Sequence, residues 1–208
     1  MKLLVATRSA HKLEEIHEIL AEVEGLELVG LVEAGVEPDP AEDDLEPYET
    51  FEENAESKAR YFFERTGLPT VADDSGLEVD ALDGRPGVRS KRFAPGPFEG
   101  LERDRANNRH LLTLLDGVEL EARSGRYVCA LALVDGPAPA RLTRGESPGR
   151  ILDHEMGEGG FGYDPLFFVP ELGQTFAEVP AEQKHALSHR GRAFRQLAQW
   201  LRTAGRAG

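Results

Sequence analysis

One cysteine among 208 residues leaves no partner for an internal disulfide, so a scaffold stapled by bridges is excluded. The cysteine itself, Cys129, lies in the apolar run "RYVCALALV" and is expected in the core as a small buried residue. Long apolar runs are also missing. No stretch approaches the eighteen or so residues of a membrane span, and in the opening "MKLLVATRSAHK" charge returns at Arg8 before a signal-peptide apolar region is complete. A cytoplasmic protein with no membrane partner is the expectation. The glycines of a Walker-type phosphate loop are absent. His17, His110, His154 and His185 have neither metal-type spacing nor a paired cysteine, and they are expected at the surface. Positive charge is scarce as well: the net charge is −14, a field that repels polyanions and argues against a nucleic-acid polymer as partner. Only five of the 24 basic residues are lysines, which singles out Lys12 and Lys184. A small anionic ligand remains compatible with this balance if basic groups gather at one place.

What is present is helix–strand alternation early and a hairpin late. Lys2–Ala6 reads as a strand and Ala10–Val23 as a helix with Leu13, Ile16, Leu20 and Val23 on one face; Leu26–Val32 reads as a second strand. The acidic, proline-bearing stretch 33–49 has no periodicity and is expected to be a loop. Thr50 and Glu53 form a capping box for a helix that Gly67 ends. "PTVADDSGLEVDAL" predicts a strand, a turn and another strand. A Gly/Pro-rich loop, a helix over about 101–115, and a hairpin turning at Asp135–Gly136 follow. A glycine loop then feeds a strand in "LFFVP", and a short helix precedes a longer one through Trp200. The last residues, "AGRAG", are expected to fray. No internal repeat is found. Together these elements predict a mixed α/β sheet with helices on both faces, in a single domain over 1–208.

Five constellations bear on chemistry. At "ATRSAHK" a strand runs into a helix N-terminus, where backbone N–H groups and the helix dipole favour an anion. Thr7 and Ser9 add hydroxyls there, and Lys12 adds an ammonium in the first turn. Arg8 and His11 crowd the same positive end, where cations are disfavoured unless an anion joins them. In "VADDSG", Asp73 and Asp74 end an apolar strand; that suits a Mg²⁺ site, in which one or two carboxylates are completed by substrate phosphates, or equally an Asx turn. The acidic loop "AEDDLEPYETFEEN" is mostly a solvated charge run, from which one glutamate can join a metal site. In "GEGGFGYDP", Phe161 and Tyr163 alternate with Gly162 before Asp164, giving either an aromatic platform for a base or two core rings. In "EQKHALSHRG", Ser188 is placed to cap the last helix, with His189 and Arg190 behind it as a basic cluster. Those residues alone read as a surface patch; an arginine fork also matches a purine O6/N7 edge.

Five blocks, "ATRSAHKLEE", "TFEENAESKA", "ADDSGLEVDALDGRPGVRSKRFA", "GGFGYDPLFFVP" and "EQKHALSHRGRA", occur in the order of the signature segments of the inosine triphosphate pyrophosphatase family. The resemblance runs from Leu3 to about Leu201. It implies a curved mixed sheet with two lobes around an active-site cleft, a homodimer, and Mg²⁺-dependent hydrolysis of ITP, dITP and XTP to the monophosphate and pyrophosphate. By position it implies that Thr7, Arg8, Ser9, Ala10, His11 and Lys12 bind phosphates. It makes Asp74 the proton acceptor and, with Glu46, a metal ligand, while Ser75 touches substrate. Phe161, Gly162, Tyr163 and Asp164 would bind the base, and Lys184, His189 and Arg190 would close on base and phosphate. Ser9 departs from the family pattern, which has asparagine there. A pyrophosphatase for pyrimidine or other modified nucleotides, or a nucleotide sensor without turnover, are the competing readings.

Overall fold

The computed structural model describes residues 1–204; of the tail expected to fray, Gly205–Gly208 lie outside the described residues. Among the described residues there are eight strands and five α-helices. In chain order they are β1 (Lys2–Val5), α1 (Ala10–Leu20), β2 (Glu27–Gly30), α2 (Phe51–Thr66), β3 (Thr70–Val79), β4 (Pro86–Gly87), α3 (Gly100–Leu114), β5 (Ser124–Val134), β6 (Arg141–Ile151), β7 (Phe167–Val169), β8 (Gln174–Thr175), α4 (Ala181–Leu187) and α5 (His189–Ala204). The strands form one mixed sheet in the order β2-β1-β3-β5-β6-β7-β8, with β4 paired to β3. Parallel pairing joins β1 to β2 and to β3, with Val5 opposite both Gly30 and Val71; β4 on β3, β7 on β6 and β8 on β7 are antiparallel.

The chain divides into two compact units. The first takes residues up to Asp74, then Cys129–Gly145, and the chain from His189. Its central parallel strands β1 and β3 are buried on both faces. Side-chain alternation sorts the core in two. Leu3, Val5, Val71, Cys129, Leu131 and Leu133 face Ile16 and Leu20 of α1 and Phe194 and Leu197 of α5. Leu4, Ala6, Ala72, Ala132 and Val134 face Ala55, Ala59 and Phe62 of α2. Each fully buried Leu, Ile or Phe contributes about 1.5–3 kcal/mol relative to exposure. The start of α5 lies tight against β6: a Cβ on Gly145 would come 2.2 Å from the His189 carbonyl oxygen and 2.5 Å from the Ala193 nitrogen.

The second unit, Ser75–Val128 with Glu146–Ser188, packs Leu77, Val79, Leu111, Leu115, Ile151, Leu166 and four rings, Tyr127, Tyr163, Phe167 and Phe176. Tyr127 and Phe167 centroids lie 4.5 Å apart, and Phe167 stacks on Phe176 at 5.6 Å.

Three expectations change. The turn at Asp73–Gly76 is absent: β3 runs unbroken through Asp-Asp-Ser-Gly. Both carboxylates have side-chain partners, so neither needs to bond its own backbone in an Asx turn. The loop 33–49 contains a short 3₁₀ turn over Pro40–Asp44, closed by a capping box between Asp39 and Glu42. His110 and His185 are half-buried rather than at the surface; the His110 ring meets Phe93 edge-on at 4.8 Å.

Candidate active site

In the first unit, α1 begins where β1 ends because Ser9 adopts an extended conformation (φ −82°, ψ 115°) and its Oγ accepts the Lys12 N–H at 3.4 Å. Thr7 Oγ1 accepts the Ser9 N–H at 3.2 Å. Ala10 and His11 follow, exposed, on the first turn. The basic crowd here is neutralised by the protein's own carboxylates, which corrects the expectation that only a bound anion makes it favourable. Lys12 Nζ donates to Asp73 Oδ2 at 2.9 Å. The Arg8 guanidinium forks onto Glu42, at 2.7 and 3.0 Å, and donates to the Val36 carbonyl at 2.9 Å.

Asp73 and Asp74 are consecutive on a strand and so point to opposite faces. Asp73, 2% exposed, meets Lys12 of α1 and Arg190 of α5, whose Nε lies 3.7 Å away. Burial alone would raise its carboxyl pKa; Lys12, Arg190 and Lys58 outweigh that and hold it well below the usual carboxylate range. Arg190 also bonds Glu15. This places His189 and Arg190 in the interior, not in the surface patch their own residues suggest, and it commits the Arg190 fork to two carboxylates.

Asp74 is treated differently. Asn54 Nδ2 donates to its Oδ2 at 3.0 Å. Burial, and secondly the Glu46 charge, push its pKa up to about 6 against the pull of Lys58, Asn54 and Lys12. Glu46 itself is ion-paired with Lys58. Burial would raise its pKa, but Lys58 and Lys12 lower it. Lys58 is held protonated: burial opposes its charge, and Glu46, Asp73 and Asp74 outweigh burial. The result is one ionised carboxylate and one tunable carboxyl beside a fixed ammonium.

This donor set fits a hard dication. Among the described residues no group of three or more His, Cys, Asp or Glu gathers as a metal cluster. Two carboxylates, Asp74 and Glu46, are what Mg²⁺ takes when substrate phosphates and waters supply the rest. A carboxyl whose ionisation is suppressed by burial and, secondly, by a neighbouring carboxylate marks a place where added positive charge is favourable.

The second unit carries the aromatic segment. Asp164, 3% exposed, accepts the Phe161 N–H and the Lys184 ammonium on one oxygen, each at 2.8 Å. That bond closes the turn through Gly160 and Gly162, both at positive φ; a Cβ on Gly160 would sit 2.2 Å from the Asp164 carboxylate. The Phe161 ring is 36% exposed, with Lys184 Nζ 4.5 Å from its centroid. Tyr163 differs from the platform expectation: its ring is in the core, its OH donates to the Ser90 carbonyl at 2.8 Å, and any substrate contact falls to its backbone. Asp104 of α3 accepts the Gly162 N–H at 3.0 Å. Ser75 is half-buried on β3.

Four residues without an individual expectation prove central: Asn54, Lys58, Glu15 and Asp104. Lys58 is one of only five lysines, and Asn54 precedes it by one helical turn on the same face, a spacing that marks both. Glu15 and Asp104 lie in charged helical runs, where nothing local distinguishes a buried partner from a solvated one.

Residues 3–200 match the Ham1 family. The chain is 49% identical over 206 residues to the dITP/XTP pyrophosphatase of Frankia alni, covering 97% of this chain and 98% of that protein. It is 48% identical over 203 residues to the dITP/XTP pyrophosphatase of Geobacter sulfurreducens, covering 96% of each. The structure of a HAM1 protein from Coxiella burnetii superposes with a TM-score of 0.84 at 35% identity, covering 98% of this chain and 99% of that one. The crystal structure of the nucleoside-triphosphatase, dITP/XTP pyrophosphatase, from Mycobacterium abscessus gives 0.73 at 41% identity, covering 95% and 98%.

Proposed function

The chain belongs to the Ham1 family, and we propose from that premise that it hydrolyses deaminated purine nucleoside triphosphates, dITP and XTP and with them ITP, to the monophosphate and pyrophosphate. The observation that carries the reading is the pair Asp73–Asp74: one carboxylate ion-paired with Lys12 at 2.9 Å, its neighbour held by the neutral Asn54 amide at 3.0 Å.

In this reading, within the single domain that the sequence predicts, one set of residues takes the phosphates and another the base. Lys12, with the hydroxyls and N–H groups of Thr7 to His11, takes the polyphosphate, and Asp73 keeps that ammonium aimed. Mg²⁺ would be held by Glu46 and Asp74 with phosphate oxygens, and when bound it neutralises charge on the phosphates. Asp74 orients the attacking water and accepts its proton, which an ionised carboxylate with a pKa near 6 does at neutral pH. No covalent nucleophile is required, since phosphoryl transfer depends on positioning and charge. Phe161 stacks on the base; Lys184, Asp164, Ser75 and the backbone of Gly162 and Tyr163 complete its surround, and the resemblance assigns His189 to the same substrate contacts. Arg190 contributes through Asp73. A 6-amino purine would set donor against donor where O6 is accepted, at about 1–3 kcal/mol per unmade bond. The same reading includes what the resemblance implies more finely: a curved sheet with helices on both faces and two lobes around a cleft, a homodimer, and a cytoplasmic setting.

The deciding assay incubates the protein with ITP, dITP, XTP, GTP, ATP and dTTP plus Mg²⁺ and separates the products. Pyrophosphate release confined to ITP, dITP and XTP is expected. Orthophosphate as product, or equal turnover of ATP and ITP, overturns the reading. Preference for dTTP favours a pyrimidine-nucleotide enzyme, and binding without turnover a sensor.

A further inference from the structure

Asn54 is an asparagine in the interior of a helix, where its side chain competes with the backbone for hydrogen bonds. It is 1% exposed, so each of its polar atoms needs a partner. All find one. Its Oδ1 accepts the Tyr48 N–H at 2.9 Å; its Nδ2 donates to the Tyr48 carbonyl at 3.2 Å and to Asp74 Oδ2 at 3.0 Å. One carboxamide therefore joins α2, the acidic loop and β3. Four residues on, along the same helix face, Lys58 bonds Glu46, two residues before Tyr48. The loop that delivers Glu46 is pinned at two points by two side chains of one helix, and one of them, Asn54, is also bonded to Asp74.

We infer that Asn54 is a positioning residue for the hydrolysis: it fixes the Asp74 carboxylate and the loop carrying Glu46 in a single relative geometry. The inference rests on the pyrophosphatase reading above. A carboxamide suits the task for a chemical reason. An arginine or lysine at this place would orient Asp74 equally well, but it would spend the negative charge that a dication needs. An uncharged donor orients the carboxylate and leaves its charge available. Because the same amide group spans both partners, a shorter side chain cannot keep the two bonds together.

The test compares wild type, Asn54→Ala, Asn54→Asp and Asn54→Ser with ITP as substrate. Asn54→Asp keeps an acceptor for the Tyr48 N–H and loses the donor to Asp74. In Asn54→Ala and Asn54→Asp we expect kcat to fall about 10- to 100-fold with KM for ITP within about threefold, as for a small misplacement of reacting groups. The Mg²⁺ concentration for half-maximal rate should rise at least about fivefold. Independently of activity, the rise in Tm that Mn²⁺ gives the wild-type protein should shrink in all three variants. If Asn54→Ala does not fold, Asn54→Asp and Asn54→Ser carry the comparison. The inference is overturned if the variants lose Tm alone and keep kcat, half-maximal Mg²⁺ and the Mn²⁺ shift within threefold or unchanged. Absence of pyrophosphate release by the wild type would instead sink the reading of the activity, whatever the variants do to the Mn²⁺ shift.

Discussion

The two faces of β3 handle the same problem, a buried carboxylate, in opposite ways. On the face toward α1 and α5, Asp73 is met by Lys12 and Arg190, and Arg190 is itself shared with Glu15. On the face toward α2, Asp74 is met by a neutral amide, and the ammonium that acts on it most, that of Lys58, is bonded to Glu46. The first arrangement fixes a charge permanently; the second leaves a charge poised. Burial is similar, 2% and 8% exposed, so the partners decide the difference and not the solvent. On the proposed reading, the carboxylate that builds the site and the one that acts in it are distinguishable by the charge of what holds them.

Removing the acting carboxylate gives the largest effect expected. Asp74→Asn should cost about 10³-fold or more in kcat, the scale of a lost general base with a lost ligand contact. Its stability effect has the other sign. With a pKa of about 6 in the folded protein against an ordinary value of 3.8, Asp74 holds its proton more tightly folded than unfolded. Stability from this group therefore falls as pH rises from about 4 to about 6 and stays lower above that. In metal-free protein the asparagine variant should be about 1–3 kcal/mol more stable than wild type at pH 7, with the difference fading toward pH 4. Urea denaturation in the presence of EDTA across this range reads it out, and a difference that does not change with pH would break the comparison.

Asp73→Ala tests the other face. Lys12 and Arg190 would be left facing one another without their shared carboxylate, and losing one partner of such a buried network costs about 3–5 kcal/mol. Because its pKa is depressed, the stability Asp73 supplies is present above about pH 4 and is lost as pH falls below that, so the variant's deficit should shrink in acid. Thermal and urea unfolding at pH 7 and pH 3 check this. Two variants one residue apart, one stabilised and one destabilised at pH 7, is the result that makes the contrast quantitative.

The sequence makes the elements legible where periodicity is strong. The Thr50 cap of α2, its end at Gly67 and the two strands flanking Asp135 all follow from local pattern. What it hides is partnership. Asp-Asp-Ser-Gly has the composition of a turn, and only Lys12, sixty-one residues away, and Asn54, twenty away, explain why it remains strand. His189 and Arg190 look solvated until Glu15 and Asp73 are placed beside them. Tyr163 and Phe161 alternate like a two-ring platform, yet the Ser90 carbonyl draws one ring inward and leaves the other exposed. In each case the deciding interaction joins segments that no local window contains.

Phe161→Ala bears on the second unit and should be milder. Stacking on one aromatic is worth about 1–3 kcal/mol per base. KM for ITP is expected to rise roughly tenfold or more with kcat within about threefold, since in the proposed reading the ring holds the base and not the reacting atoms. Tm should hardly move, the ring being partly exposed. A fall in kcat with unchanged KM would show that the aromatic segment acts on the chemistry after all, and would blur the division between holding and reacting groups.

Ser9→Ala is the smallest change. The Ser9 hydroxyl accepts a long 3.4 Å bond from the Lys12 N–H, so the cap should contribute at the low end of the usual range, about 0.5 kcal/mol. Its position matters more than that figure suggests, because the residue it caps is the one whose ammonium reaches Asp73. Loosening the first turn of α1 leaves the Lys12–Asp73 pair intact, since the pair is held from the Asp73 side by burial and by Arg190. Urea unfolding should therefore show a loss of at most about 1 kcal/mol, and the pH dependence of stability should match wild type below pH 4. A larger loss, or a changed acid limb, would mean that the cap and the buried pair are one cooperative unit and that the rigid face of β3 begins at the end of β1.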